Sequence, residues 1–190
     1  MRTLTYLIAS TLDSVIAGPA NDNPDFFLFE GPHAEPQLRE YPEMVPTHLR
    51  SMLGLEDTPN RHFDTVLQGR RSYEIGLADG HTNAYRHLRS IVFSTTMTQS
   101  PDPSVELVHT DPLETVRELK QETGAGIWLC GGGRLAATLR PEIDEIVLKL
   151  HAIVAGDGVR LFDGDFDPQE YELTDHVVYD NGVMTLTYAR

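Results

Sequence analysis

Gly126-Ile127-Trp128-Leu129-Cys130-Gly131-Gly132-Gly133-Arg134 is the stretch on which the fold turns. An apolar run rich in β-forming residues meets three glycines and then an arginine that opens a helix predicted over residues 134–139. A buried strand that passes through a glycine turn into a helix is part of a strand–helix–strand unit, and the chain supplies the other parts on both sides. Upstream, Asp111-Pro112-Leu113-Glu114 reads as a helix start, with Asp as the cap, Pro in the first helical position and Glu three residues after the cap. That helix is predicted to end near Gly124. Downstream, residues 143–154 read as a long strand.

Working outward, residues 64–68 form a strand that runs into Gly69-Arg70-Arg71-Ser72-Tyr73, and residues 89–94 form another that ends in Ser94-Thr95-Thr96. Shorter strands are expected at residues 4–9 and 105–109. Residues 171–179 and 183–188 flank Asp180-Asn181-Gly182, a hairpin signal. Residues 18–46 hold six prolines and are expected to form a long surface loop. A short helix is expected within residues 44–53, with Val45, His48, Leu49, Met52 and Leu53 on its apolar side. Strands alternating with helices imply an α/β fold of three layers: a mostly parallel central sheet, helices on both faces, and an antiparallel C-terminal hairpin at one edge.

With 190 residues, 40% hydrophobic and 23% charged, the chain suits one domain over residues 1–190 around a single core. No apolar stretch approaches the ~20 residues of a membrane span, and the N-terminus lacks the pattern of a signal peptide. Cys130 is the only cysteine, so no internal disulfide forms, and a reduced, cytoplasmic setting is expected. The net charge of −14 repels nucleic-acid phosphates and anionic lipid, so neither is an expected partner. A phosphorylated small molecule stays open, because a pocket can be locally positive inside an acidic shell.

Ligands of such sheets bind beyond the carboxyl ends of the strands, and three segments are predicted to converge there. Gly131-Gly132-Gly133-Arg134 offers backbone N–H groups and close approach to an anion, although a glycine triplet equally suits a tight turn. Gly69-Arg70-Arg71-Ser72 places two cations and a hydroxyl at a helix start, where arginine opposes the helix dipole and an anionic ligand would account for it. Pairing with acidic surface neighbours is the plainer account. Ser94-Thr95-Thr96 offers three hydroxyls, or is an ordinary polar strand end. The histidines lack metal-ligand spacing, so no metal site is expected.

Taken in order, Leu12-Asp13-Ser14-Val15-Ile16-Ala17-Gly18, Leu67-Gln68-Gly69-Arg70-Arg71-Ser72-Tyr73, Ile91-Val92-Phe93-Ser94-Thr95, the 127–134 stretch and Gly156-Asp157-Gly158 with Leu161-Phe162 resemble the dihydrofolate reductase superfamily. The spacing and the ending at residues 181–188 look closer to the reductase domain of bifunctional riboflavin-biosynthesis enzymes. The resemblance implies an NADPH-dependent reductase of a small heterocyclic, pyrimidine- or pterin-like substrate. It places Arg70 and Thr95 on the adenosine 2′-phosphate, and Ser72 with Gly131, Gly132, Gly133 and Arg134 on the pyrophosphate. Ala9 and Ile16 pack on the nicotinamide, and Gly69, Arg71, Ser94, Thr96, Cys130 and Leu135 complete the cofactor set. Asp13, in the loop nearest the nicotinamide, is the candidate acid or substrate ligand; an Asp in a turn is also a common backbone cap. His151 borders the pocket, with a core role as the plainer account.

The chain departs from the family pattern on the substrate side. Counting back from Gly69 puts the expected helix carboxylate near Leu53, with Glu56 and Asp57 close by. The aromatic position after the glycine turn is Ala136, and the threonine expected in the next strand falls on Leu148 or Lys149. Two other readings stand beside the enzyme: a non-catalytic NADP-binding sensor or scaffold, and a homodimeric module pairing through the hairpin edge. A homodimer is compatible with all three.

Overall fold

The computed structural model describes residues 1–20 and 24–190, so residues 21–23 of the predicted proline-rich loop lie outside the described residues. In chain order the elements are β1 (Leu4–Ser10), β2 (Val15–Ala17), α1 (Ala34–Glu40), α2 (Thr47–Arg50), β3 (Phe63–Gly69), α3 (Arg70–Ala78), β4 (Arg89–Phe93), β5 (Val105–Val108), α4 (Pro112–Gln121), β6 (Gly126–Gly131), α5 (Gly133–Leu139), β7 (Glu145–Leu150), β8 (Val159–Arg160), β9 (Glu172–Val178) and β10 (Met184–Ala189). Single 3-10 turns occur at Pro42–Met44 and Arg140–Glu142.

Eight strands form one sheet in the order β5-β4-β3-β6-β1-β7-β10-β9. From β5 to β7 every pairing is parallel; β10 runs antiparallel to both β7 and β9. Alternation along the strands then sorts the apolar residues into two layers. Leu4, Tyr6, Leu67, Ile91, Ile127 and Leu129 face α4 and α5, which cover them with Val116, Leu119, Leu135 and Leu139. Leu7, Val66, Trp128 and Val147 face the other way, beneath Tyr41, Met44 and Tyr85. On that second side Tyr73 of α3 packs on Val92 and Val105. Each fully buried aliphatic side chain contributes roughly 1.5–3 kcal/mol by leaving water.

Local chemistry fixes the elements near the working end of the sheet. Asp111 caps α4 by accepting a hydrogen bond from the Leu113 amide at 2.9 Å, with Pro112 in the first turn. At the other end of α4 the buried Lys120 ammonium donates to the Glu142 carbonyl (2.7 Å) and to Asp144 (2.9 Å), tying the helix to the strand that follows α5. Buried Arg2 does the same for the N-terminus, donating to Asp64, Thr65 and the Ala125 carbonyl.

The structure differs from the sequence expectations in four places. The segment 18–46 is not wholly irregular, since α1 forms inside it and ends just before Pro42. The helix expected over residues 44–53 shrinks to the four residues of α2. The strand expected over residues 143–154 stops at Leu150, because the Ile153 amide turns back to the His151 carbonyl and its own carbonyl accepts from Leu12. Residues 15–17 and 159–160 pair as a small antiparallel ribbon, β2 with β8, apart from the main sheet.

Candidate functional site

The three turns singled out in the sequence line one cleft of about 700 Å³, and residues 157–163 close its far side. The carboxyl ends of β3, β4 and β6 lie side by side in the sheet, so the loops leaving them share one edge. From the first come Gly69, Arg70, Arg71 and Ser72, from the second Ser94, Thr95 and Thr96, and from the third Gly132, Gly133, Arg134 and Leu135.

Two glycines of the third turn have conformational or steric causes. Gly131 has φ +136°, a backbone setting that side chains rarely adopt. At Gly133 an added Cβ would lie 2.0 Å from the Arg160 carbonyl oxygen, so the absence of a side chain lets β8 cross the start of α5. The Gly131–Gly132 peptide is cis. Ser72 faces this turn: its Oγ lies 3.4 Å from where a Cβ on Gly132 would sit and 3.7 Å from the equivalent point on Gly131.

The cleft is cationic in an acidic protein. Arg70, Arg71, Arg134 and Arg160 line it, set against Asp157 and Asp163. Arg134 pairs with Asp163 at 3.1 Å, and Arg70 with Glu74 one helical turn on, also at 3.1 Å. Both pairs are open to solvent and so worth little. Among the described residues no carboxylate pairs with Arg71 or Arg160. The Ser94 hydroxyl accepts from the amides of Thr96 (3.2 Å) and Met97 (2.8 Å), which shapes its turn and leaves Thr95 and Thr96 exposed at the rim. His109 is fixed beside them by a 2.6 Å hydrogen bond between Nδ1 and the Ser94 carbonyl.

Other expected site residues lie beside the cleft rather than in its lining. Gly131 sits between Ser72 and the Ile8 side chain. Ala9 is half-buried near the end of β1, and Ile16 is buried in β2. The Cys130 side chain belongs to the opposite layer with Tyr85 and Trp128, where burial pushes the thiol up to about 11.

Asp13 is held by hydrogen bonds within the protein. Its carboxylate accepts from Thr11 Oγ1 (2.6 Å) and from the amides of Ala155 (3.0 Å) and Gly156 (2.7 Å), bonds that hold its ionisation well below the usual carboxylate range. An acid so held has no proton to give at neutral pH. Asp13 is the cap that joins the 11–15 loop to the 155–156 turn. Leu53, where the helix carboxylate was sought, lies in the turn after α2 rather than on a helix. In α1 the buried residue is Gln37, which donates to Thr185 Oγ1 at 3.1 Å.

Sequence reasoning missed Arg160, His109 and Thr138 of the cleft. Arg160 stands inside the motif that begins at Gly156, and an arginine between two glycines and Leu161-Phe162 was a visible signal. His109 and Thr138 carried none, since only the packing of β5 and α5 brings them to the edge. Among the described residues no three His, Cys, Asp or Glu side chains are grouped to hold a metal, and no helix is long and apolar enough to cross a membrane.

With this geometry in place, comparison with known proteins is informative. The RibD C-terminal domain family matches residues 2–185. The uncharacterized protein YyaP of Bacillus subtilis (strain 168) is 27% identical over 149 residues, covering 72% of this chain and 78% of that protein. The uncharacterized protein YwjB of the same organism is 31% identical over 101 residues, 52% of this chain and 58% of that protein. Among solved structures, a putative riboflavin biosynthesis protein from Shewanella sp. PV-4 superposes with TM-score 0.72 at 22% identity over 100% of this chain and 99% of its own. A diaminohydroxyphosphoribosylaminopyrimidine deaminase/5-amino-6-(5-phosphoribosylamino)uracil reductase from Thermotoga maritima gives TM-score 0.63 at 16% identity, over 99% of this chain and 56% of its own. These two likenesses establish the fold.

Proposed function

The chain belongs to the RibD C-terminal domain family, and from that premise we propose that it is an NADPH-dependent reductase of a small pyrimidine- or pterin-like heterocycle. One observation carries the reading: three turns from three strands meet at one cleft that gathers four arginines in a protein of net charge −14.

The residues present suit an anionic dinucleotide. The cleft is long enough to run from Thr95 to Arg134, its glycine turn presents backbone rather than side chain, and two of its arginines pair with no carboxylate among the described residues. In this reading Arg70 and Thr95 take the 2′-phosphate, with Arg71 adjacent. The guanidinium offers a bidentate, charge-assisted grip, and the hydroxyl adds a donor without charge. Ser72 and the Gly132, Gly133 and Arg134 backbone take the pyrophosphate. Ala9 and Ile16, at the end of the cleft nearest β1, hold the flat face of the nicotinamide. The bound cofactor supplies the hydride. The chain's own work is to hold the acceptor against it and keep water away, a matter of position before all else.

The phosphoribosylamino-uracil named for the Thermotoga protein is the first acceptor to test. NADPH should raise the melting temperature, since a ligand at a hundred times its Kd stabilises by about 2.7 kcal/mol, and NADH should do so less. NADPH absorbance should then fall steadily with 5-amino-6-(5-phosphoribosylamino)uracil present. Stabilisation by NADH and not NADPH would refute the cofactor assignment. Tight NADPH binding without oxidation across a panel of heterocycles would favour the sensor.

A further inference from the structure

The face of the sheet turned away from α4 and α5 carries a cation for which the cleft has no use. Lys149 stands on β7 between Ala9 of β1 and Thr185 of β10, its partners in register. Register partners share a face, so Lys149 projects from the same side as Ala9, under the cover made by Met44 and Tyr85. Its Nζ meets Met44 Sδ at 3.4 Å, and among the described residues no carboxylate pairs with it.

Among the described residues, the titratable groups around Lys149 give it no counter-ion. From β6 the Cys130 thiol, raised by burial, stays protonated. From the 83–88 loop the Tyr85 phenol is raised in the same way. Glu145, lower on the same strand, is engaged with Thr5 Oγ1 at 3.0 Å. His151, two residues beyond Lys149, is 3% exposed, and its buried Nδ1 has no partner among the described residues. Burial, then His33, then Lys149 hold the His151 imidazole down to about 4, so it is neutral near pH 7. Burial brings Lys149 itself down to about 8. A strand flanked by Leu148 and Leu150 would gain from an apolar side chain here. A lone ammonium and an orphaned imidazole nitrogen together, at the carboxyl end of β7, point to a polar partner that arrives from outside.

We propose that Lys149 Nζ is the proton donor of the reduction, serving a substrate whose C=O or C=N group lies between Ala9 and the Met44–Tyr85 cover. The inference rests on the reductase reading above. Hydride from the reduced nicotinamide dinucleotide adds to the carbon of the double bond, and the π pair moves to the oxygen or nitrogen. That atom takes a proton from the Lys149 ammonium, the dinucleotide leaves oxidised, and solvent reprotonates the amine. Before transfer the same N–H donates to the same oxygen or nitrogen and so sets the face presented to the hydride.

Lys120 and Lys149 are the only lysines in the chain, so carbon-13 labelling at lysine Cε yields two signals, and Lys149→Met assigns them. The Lys149 signal should titrate near 8. Lys149→Met should fold, bind NADPH within about twofold of wild type, and lose about 100-fold or more in NADPH oxidation with the phosphoribosylamino-uracil acceptor. The wild-type rate should fall above pH 8, and Lys149→Arg should move that limb upward. A Lys149 signal titrating at or above 10, or a Lys149→Met rate close to wild type with NADPH binding intact, would overturn the role of Lys149 alone. A wild type that does not bind NADPH would overturn the reductase reading, and this proposal with it.

Discussion

Replacing Arg70 by alanine separates the two nicotinamide cofactors. Arg70 opens α3 at the cleft, and its Nη1 donates to Glu74 at 3.1 Å with both side chains 41% exposed. A hydrogen bond to a charged group contributes about 1.5–3 kcal/mol. Leaving Glu74 costs back about 0.3–0.5 kcal/mol, the usual worth of such a pair one helical turn apart. The net, about 1–2.5 kcal/mol, corresponds to a loss of roughly 5- to 70-fold in NADPH affinity on Arg70→Ala. NADH lacks the phosphate and should lose less than about twofold. Isothermal titration with each cofactor reads both numbers. The salt dependence gives a second check, because a contact with a doubly charged phosphate weakens as ionic strength rises. Equal losses for the two cofactors would remove Arg70 from the 2′-phosphate and refute the reasoning.

Further predictions follow from the same geometry. Glu74→Gln frees Arg70 and removes the negative charge paired with it, so NADPH should bind about twofold tighter with NADH unchanged; titration with both cofactors decides. Gly133→Ala forces a Cβ against the Arg160 carbonyl and should cost about 1–3 kcal/mol in urea unfolding, and a variant as stable as wild type would show that β8 does not press on this turn. Asp13→Ala should lower the melting temperature by releasing the 155–156 turn, with the pH profile of oxidation unmoved; a lost acid limb would return Asp13 to catalysis. His151 is near 4 in the fold and near 6.5 unfolded, so between these values the unfolded chain binds the extra proton. Stability should therefore rise with pH across 4–6.5, by at most about 3 kcal/mol, as unfolding midpoints measured across that range would show. Lys149 works in the same sense from about 8 upward, where the native state gives up its proton first, and Lys149→Met should remove that upper rise.

How far the sequence disclosed this depends on the element. The Asp111 cap, the strand from Gly126 into its glycine turn and the Asn181-Gly182 hairpin were legible because each carries a local backbone cause. Helix α1 was hidden by the prolines around it, and it holds its place through Gln37 and the 3-10 turn that follows rather than by propensity. The β2–β8 ribbon has three residues against two, too few for a period to register. Past Leu150 the apolar run continues but the sheet does not, since Leu12 takes the hydrogen bond at Ile153. In the candidate site, the three turns announced themselves through Gly, Arg and Ser at strand ends. The part of Lys149 was not legible, since only its neighbours across the sheet show that among the described residues no carboxylate pairs with it.

The most direct measurement is a crystal structure of the chain soaked with NADPH. The account predicts density with the 2′-phosphate against Arg70 and Thr95, the pyrophosphate between Ser72 and the Gly132–Arg134 turn, and the nicotinamide beside Ala9 with Lys149 open to the space next to it. Cofactor bound elsewhere on the sheet, or lying in the cleft with its 2′-phosphate away from Arg70, would contradict it.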